Sequence, residues 1–546
     1  MSGENTRNNI SRKDFLRYMA IIAGSTITAS QYIACSEKRD KYGHITSRIS
    51  GASAKAGHMM RDGVFHTPTN STEYDAVIIG GGVAGLAAAR ILHHRGMSNY
   101  RLLELESHTG GNASFGENAY SAYPRGAHYL PIPNTDNQPL LDMLAEAGIL
   151  TGYNSNGLPV YSETDLCFDP EERLYIHGRW QEGLIPQFGT SKATQQEMKR
   201  WLDEMLQLRT VRGNDGRYAF DIPIANSSAD PAFRELDNIN MRQYLTQKGY
   251  QSEELYWYLD YCCRDDYGAG IDIISAWAGI HYFASRKGKA ANADNSQMLT
   301  WPQGNGRLVQ HLQQFSKDKT LDQAIVYKVT QQDNRVAIDY YDMKEHTTHR
   351  IIAKACILAT PQFVTQRLIP GGQYNHDFVY SPWLVANITL DAIPESSGYQ
   401  LCWDNVIYKG KSLGYVYAQQ QQLFQQMPAR QVITYYLPLD HLDPVESRKY
   451  AIALEPQQWV KLITDDLEKV HPDIHAVIRD VDITVWGHGM IRPHTGFITG
   501  AARAAAQVSP YKNIFYAHSD LSGVSIFEEA FYHGNKAANA LVDYCS

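Results

Sequence analysis

Cysteine is scarce in this chain: seven among 546 residues, with no Cys-x-x-Cys spacing, and with one adjacent pair, Cys262 and Cys263, that would be strained as a mutual bridge. That excludes a disulfide scaffold and supplies no ligand set for zinc or an iron–sulfur cluster, so no metal site is expected. Positive charge is not concentrated either. Lys and Arg number 50 against 58 Asp and Glu, a formal net charge of −8, and no basic block stands out. Neither a nucleic-acid footprint nor a polybasic membrane patch is therefore expected. Internal repeats and low-complexity tracts are missing as well. A small-molecule substrate suits these absences better than a macromolecular one. What is present is a chain 43% hydrophobic, able to bury a large core and longer than one core usually organises, which implies two interleaved domains.

The start of the chain reads as an address. The run from Ser11 to Arg17, SRKDFLR, resembles the twin-arginine export signal, with Lys13 where the second arginine usually stands. The apolar stretch from Tyr18 to Ala34 is diluted by Gly24, Ser25, Thr26, Thr28 and Ser30, too short and polar for a membrane span but suited to a removable signal. Ile33-Ala34-Cys35 resembles the end of a lipoprotein box, although Tyr32 replaces the usual Leu. The resemblance implies a lipid anchor at Cys35. The expectation is a signal peptide over 1–35, a polar tether over 36–72, and a periplasmic or otherwise exported protein.

From Tyr74 the sequence YDAVIIGGGVAGLAAARIL combines a buried strand, a glycine turn and an apolar helix. In this context Gly80 permits the tight turn, Gly82 lets the backbone approach a pyrophosphate, and Gly85 lets helix and strand pack closely. Val83 and Ala84 then open the helix whose N-terminus faces the anion. A second strand, Arg101 to Leu105, carries Glu104, placed 19 residues beyond Gly85 where a ribose hydroxyl pair needs an acceptor. This is a dinucleotide site, and NAD and FAD share it.

Later segments separate the two. Gly110-Gly111-Asn112 follows Glu104 and resembles the glycine pair of the flavin amine oxidase and protoporphyrinogen oxidase superfamily, with Asn112 in place of the usual Arg. Gly126-Ala127-His128 resembles that family's loop past the isoalloxazine ring. WPQGNGRL, from Trp301, resembles its P-x-G-G segment, with Asn305 replacing the second glycine. The resemblance places Val326, on a hairpin formed by AIVYKV and VAIDYYD, at the adenine. It places Asp520 against the ribityl or pyrophosphate, and Phe527 at a helix N-terminus facing the flavin pyrimidine. It implies FAD as cofactor and an α/β fold: a discontinuous Rossmann-like FAD-binding domain with an α+β substrate domain, a mixed sheet capped by helices. The FAD-binding parts are expected at 73–150, 300–370 and 480–546, and the substrate parts at 151–299 and 371–479.

A flavin that takes a hydride equivalent at N5 needs a substrate held against it and little else, so the sequence need not advertise a base. His128, Asp266 and His488, each in a polar-aromatic stretch, are the candidates to orient substrate or take a proton. Two departures weigh on the family's chemistry. Many of its amine oxidases carry a lysine in the strand after ACILATP, but Pro382 to Ile388 has none, and Ile526 stands where an aromatic usually faces the flavin. An amine is the leading substrate class, and both oxygen and a separate redox partner stand as electron acceptors. The alternatives are a desaturase or porphyrinogen-oxidase-like enzyme, which requires a long apolar tunnel, and a non-catalytic FAD-binding partner of an exported complex, which requires no cavity at the flavin.

Overall fold

The run Ala76-Val77-Ile78-Ile79 is apolar at every position because its strand is covered on both faces. Ala76 and Ile78 enter one hydrophobic cluster and Val77 and Ile79 another, the alternation of a strand inside a two-sided sheet. The structure, a computed structural model, describes residues 41–294, 296–371, 375–423, 426 and 428–546. The expected signal segment and Cys35 lie outside these. Contacts group His44–Ser546 into one unit.

Two sheets organise that unit. In the nucleotide sheet, Ser71–Ile79 is flanked by parallel partners Tyr100–Leu103 and Thr347–Leu358. Thr320–Leu321 adds to one side, and the hairpin Ala324–Gln332 and Arg335–Asp342 to the other. Ile514–Tyr516 pairs with the far end of Thr347–Leu358. Helices Val83–His94 and Phe527–Cys545 cover one face. They approach so closely that a Cβ on Gly534 would collide with the Ala84 carbonyl oxygen. Each fully buried aliphatic side chain here, such as Leu86, Leu92 or Leu541, is worth about 1.5–3 kcal/mol.

The large sheet has eight strands in the order Thr46–Ser50, Ile478–Ile491, Tyr380–Leu390, Gln431–Pro438, Gly414–Tyr417, Asp404–Ile407, Glu172–Ile176 and Arg179–Glu182. Helices Lys192–Leu208, Glu253–Tyr267 and Ala276–Ala284 contribute to the cluster packed on it, together with Trp383, Val385, Val416 and Tyr436 from the sheet. Ser252 caps the second of these helices, and Gly268, at φ 65°, ends it.

Two expectations need correcting. The stretch 36–72 is not a tether along its described length: Thr46–Ser50 is an edge strand paired in parallel with Ile478–Ile491, and Ala54–Asp62 is a helix capped by Ser53. Polar composition misled here because an edge strand exposes one face and needs few apolar residues. The last segment expected in the nucleotide domain begins too early, since Ile478–Ile491 is an inner strand of the large sheet. Within 151–299, Glu172–Glu182 supplies the far edge of that sheet.

Candidate active site

The glycine turn sits at the carboxyl end of Ser71–Ile79. Gly80 has φ +100°, and a Cβ there would lie 2.5 Å from the Ala359 carbonyl oxygen. A Cβ on Gly85 would collide with the Gly80 carbonyl, which holds the helix Val83–His94 in contact with the strand. At Gly82 the situation reverses, since a Cβ would meet nothing within 4 Å. Gly82 is the N-cap of that helix and offers no side-chain cap. The first-turn N–H groups at buried Val83 and Ala84 have no side-chain cap, and the room beside Gly82 leaves them the arrangement that receives an anion. Gly110 closes the cradle through a parallel bridge to Gly82 and an N–H bond of 2.8 Å to the Gly81 carbonyl, with Gly111 beside it.

Glu104 lies at the rim. Its Oε2 accepts the Gly81 N–H at 2.6 Å and its Oε1 the Glu106 N–H at 2.8 Å. Burial pushes its carboxyl up to about 7 against the pull of these bonds. The Ala324 N–H donates to the Glu104 carbonyl at 2.8 Å, which brings the strand of buried Val326 to the same rim. Asp520 joins from the far end of the chain. Its Oδ2 accepts the Gln362 N–H at 2.8 Å and the Tyr380 hydroxyl, while Oδ1 is buried without a hydrogen-bond partner. His518 Nδ1, 3.0 Å from Oδ1, accepts the Asp520 N–H and so is not its donor. The room at Gly82 and the unpartnered Asp520 Oδ1 fit a ligand bearing phosphates and hydroxyls.

Beyond Gly111 lies a cavity of about 140 Å³, room for on the order of ten waters. It meets the expected cofactor loops on one side, at Asn112, Gly126, Ala127, His128 and Asn305. On another it meets the N-terminus of the last helix, at Ile526, Phe527 and Glu528. The Asn112 amide donates to the Gly489 carbonyl, tying the cofactor loop to the large sheet. Trp383, Val385, Tyr436 and Trp486 form the wall that the sheet contributes, and Asp265, Asp266 and Arg286 the polar end.

The structure brings His128 and Asp266 to this cavity and leaves His488 out. The His488 ring stacks on Phe363 with centroids 4.1 Å apart and lies against Tyr380, the partner of Asp520. Burial, with Arg448 and Arg367 nearby, pushes it down to about 3. His128 packs on Tyr436, Tyr129 and Trp403, with centroids 4.5, 5.0 and 5.5 Å away. Burial pushes it down to about 3 as well, so it is neutral at working pH and holds a proton poorly. Asp266 is not a free base either: Arg286 binds it at 2.8 Å. Burial pushes the carboxyls of both Asp265 and Asp266 upward, and the guanidinium holds Asp266 back more directly. Trp301 is core, its Nε1 bonded to Asp165 at 2.5 Å.

Sequence reasoning missed Asp265, Arg286, Trp383, Tyr436, Trp486 and Glu528. Asp265 was adjacent to a chosen residue and could have been found. Trp383 and Val385 could not, because every position of Tyr380–Leu390 is buried and the strand shows no alternation.

Fold and site together define a Rossmann-like dinucleotide-binding protein with a large mixed sheet beside its cofactor cradle, the fold of the flavin amine oxidases. The NAD(P)-binding Rossmann-like domain family matches residues 78–147. Among solved structures, wild-type putrescine oxidase bound to putrescine is similar at TM-score 0.62 and 16% identity, over 87% of this chain and 100% of that one. Cyclohexylamine oxidase from Brevibacterium oxydans IH-35A is similar at TM-score 0.61 and 15% identity, over 86% and 99%. A fatty acid isomerase from P. acnes, described as producing CLA, is similar at TM-score 0.58 and 16% identity, over 85% and 98%. No curated protein matches the chain in sequence.

Proposed function

We propose that the protein is an FAD-dependent oxidoreductase that removes a hydride equivalent from a small organic substrate, with an amine as the leading class. The observation that carries this reading is the cavity's position, where the cofactor loops, the N-terminus of the C-terminal helix and the large sheet converge. Gly82, Glu104, Gly110, Gly111, Asn112 and Asp520 would hold the cofactor, and bound FAD would supply a hydride acceptor at the cavity. The start of helix Phe527–Cys545 presents unpaired N–H groups and a positive dipole end there, suited to developing negative charge. Trp383, Tyr436 and Trp486 confine a substrate and exclude water. The carboxylates favour a cation.

The same carboxylates weigh against an extended apolar substrate. Asp265, Asp266 and Glu528 line the cavity, and an apolar chain would desolvate them without pairing them. An open cavity weighs against a purely structural flavin carrier. Export belongs to the same proposal and rests on residues 11–17; fractionating cells that express wild type and a variant with Arg12 and Lys13 replaced by glutamine tests it. For the chemistry the test is anaerobic reduction of the flavin by a panel of amines, alcohols and amino acids. The reading expects amines to bleach it. A panel in which only non-amines do so removes the amine assignment, and one in which nothing does removes the enzyme.

A further inference from the structure

Behind the acidic end of the cavity, Asp265 belongs to a further group of carboxyls. Strands Glu172–Ile176 and Asp404–Ile407 run in parallel with Glu172 and Asp404 as register partners, which sets two carboxylates side by side on one face of the sheet. The helix Glu253–Tyr267 sends Tyr258, Tyr261 and Asp265 to them from one of its own faces, at the spacing that aligns helical side chains. The Tyr261 hydroxyl reaches Asp404 at 3.4 Å and the Tyr129 hydroxyl reaches Asp265 at 3.4 Å, which joins this group to the cavity. Tyr129 also packs on Trp403, the residue before Asp404, and Trp403 on His128, which sets aromatic rings beside the group.

Like charges on register partners are destabilising, and burying a charge without a partner costs more still. Yet no Lys, Arg or His is ion-paired with Glu172, Asp265 or Asp404 among the described residues. Arg286, the guanidinium that acts on Asp265, is bound to Asp266, and Arg173, next to Glu172 in the chain, is bound to Asn405. Glu172 is the extreme case: it lies deep in the chain, its side chain has no hydrogen-bond partner, and its neighbours are Glu171, Asp265 and Asp404. Part of its surface nevertheless remains accessible, as it does for Asp265 and Asp404, which is how side chains around an interior chamber behave. Burial pushes all three carboxyls upward, and a cation beside them would act in the opposite direction by favouring the carboxylate form. A metal ion is the wrong shape for them: no three His, Cys, Asp or Glu among the described residues converge closely enough to hold one.

We propose that Glu172, Asp404 and Asp265 form a subsite for the distal ammonium group of an extended substrate carrying at least two positive charges, whose other end lies in the cavity beside Asn112 and Phe527. This rests on the amine reading above and adds the substrate's length and charge. Carboxylates spaced along an aromatic-walled chamber match ammonium groups spaced along a flexible chain, and the rings add cation–π attraction.

The test uses the purified flavoprotein, a series of α,ω-diaminoalkanes of increasing length, and 1-aminoalkanes of matched length. At least one diamine is expected to half-saturate anaerobic flavin reduction at a concentration about tenfold below its matched monoamine. E172Q and D404N should each remove most of that preference and leave the monoamines unchanged. Binding is read separately as a diamine-induced rise in melting temperature, present in wild type and absent in E172Q. Diamines no better than monoamines, or variants that slow both series alike, overturn the chamber and leave the amine reading standing. A panel in which only non-amines reduce the flavin overturns the amine reading itself. Absence of the melting shift in wild type overturns the chamber whatever the flavin does.

Discussion

The two ends of the cleft treat charge in opposite ways. At the nucleotide end, Glu104 is the buried carboxylate, and backbone N–H groups from Gly81 and Glu106 answer both its oxygens. At the substrate end, Glu172, Asp265 and Asp404 act on one another, and the guanidinium that reaches Asp265 is committed to Asp266. The first end is complete except for the open space above Gly82. At the second, three carboxyl groups have no ion-pair partner among the described residues. A cofactor that stays can be met by fixed backbone dipoles, whereas a substrate that comes and goes can be recognised by carboxyl groups that have no ion-pair partner of their own.

The largest effects should come from the glycine turn, where two neighbouring positions fail differently. Gly85→Val drives a side chain into the Gly80 carbonyl and should cost roughly 3 kcal/mol or more, read as a shifted urea midpoint. Gly82→Val has room for its side chain and should leave the melting temperature of the cofactor-free protein unchanged while abolishing its yellow colour. If both variants lose stability equally, Gly82 is structural and the cradle reading fails.

Next in size is the ion pair of the substrate end. Arg286→Met leaves Asp266 buried without its partner and should cost about 3–5 kcal/mol by chemical denaturation. A loss under about 1 kcal/mol would mean the pair is solvated, as surface pairs are.

Glu172→Gln sharpens the comparison through pH. Burial pushes this carboxyl up to about 7, whereas an unfolded glutamate titrates near 4. The folded chain thus holds the proton more tightly, so wild type should lose stability as pH rises from about 4 to about 7. The loss should be complete above that window. The variant lacks this slope and should exceed wild type by on the order of 2 kcal/mol at pH 8, with little difference at pH 4. Denaturation curves at both pH values decide it, and equal slopes would show that Glu172 is hydrated.

The smallest effect is expected at His128. Held neutral by burial and packed on Tyr436, it should position aromatic rings and not move protons, so His128→Asn should lower kcat less than about tenfold and leave the pH profile in place. A loss of a hundredfold or more with a displaced profile would restore it as a base.

How legible each end was in the sequence follows from the same contrast. The nucleotide end is local: Gly80 to Gly85 and Glu104 lie within 25 residues, and each residue type answers a backbone constraint that spacing reveals. The hairpin around Val326 and the helix beginning at Phe527 were legible because alternation and helical spacing survive where one face is covered. The substrate chamber joins Tyr129, Glu172, Asp265, Arg286 and Asp404 through sheet pairing between segments more than two hundred residues apart. No local rule announces that Glu172 and Asp404 will be neighbours. His488 shows the converse, since a promising polar-aromatic stretch supplied a ring that stacks away from the cavity.

The central claim is that one cleft runs from the Gly82 cradle to the acid-lined chamber with FAD between them. The direct measurement is the absorbance spectrum of the purified chain, recorded under nitrogen before and after addition of a long diamine. The account predicts a yellow flavoprotein whose flavin bands disappear on addition. A colourless protein that takes up no FAD on reconstitution would contradict it.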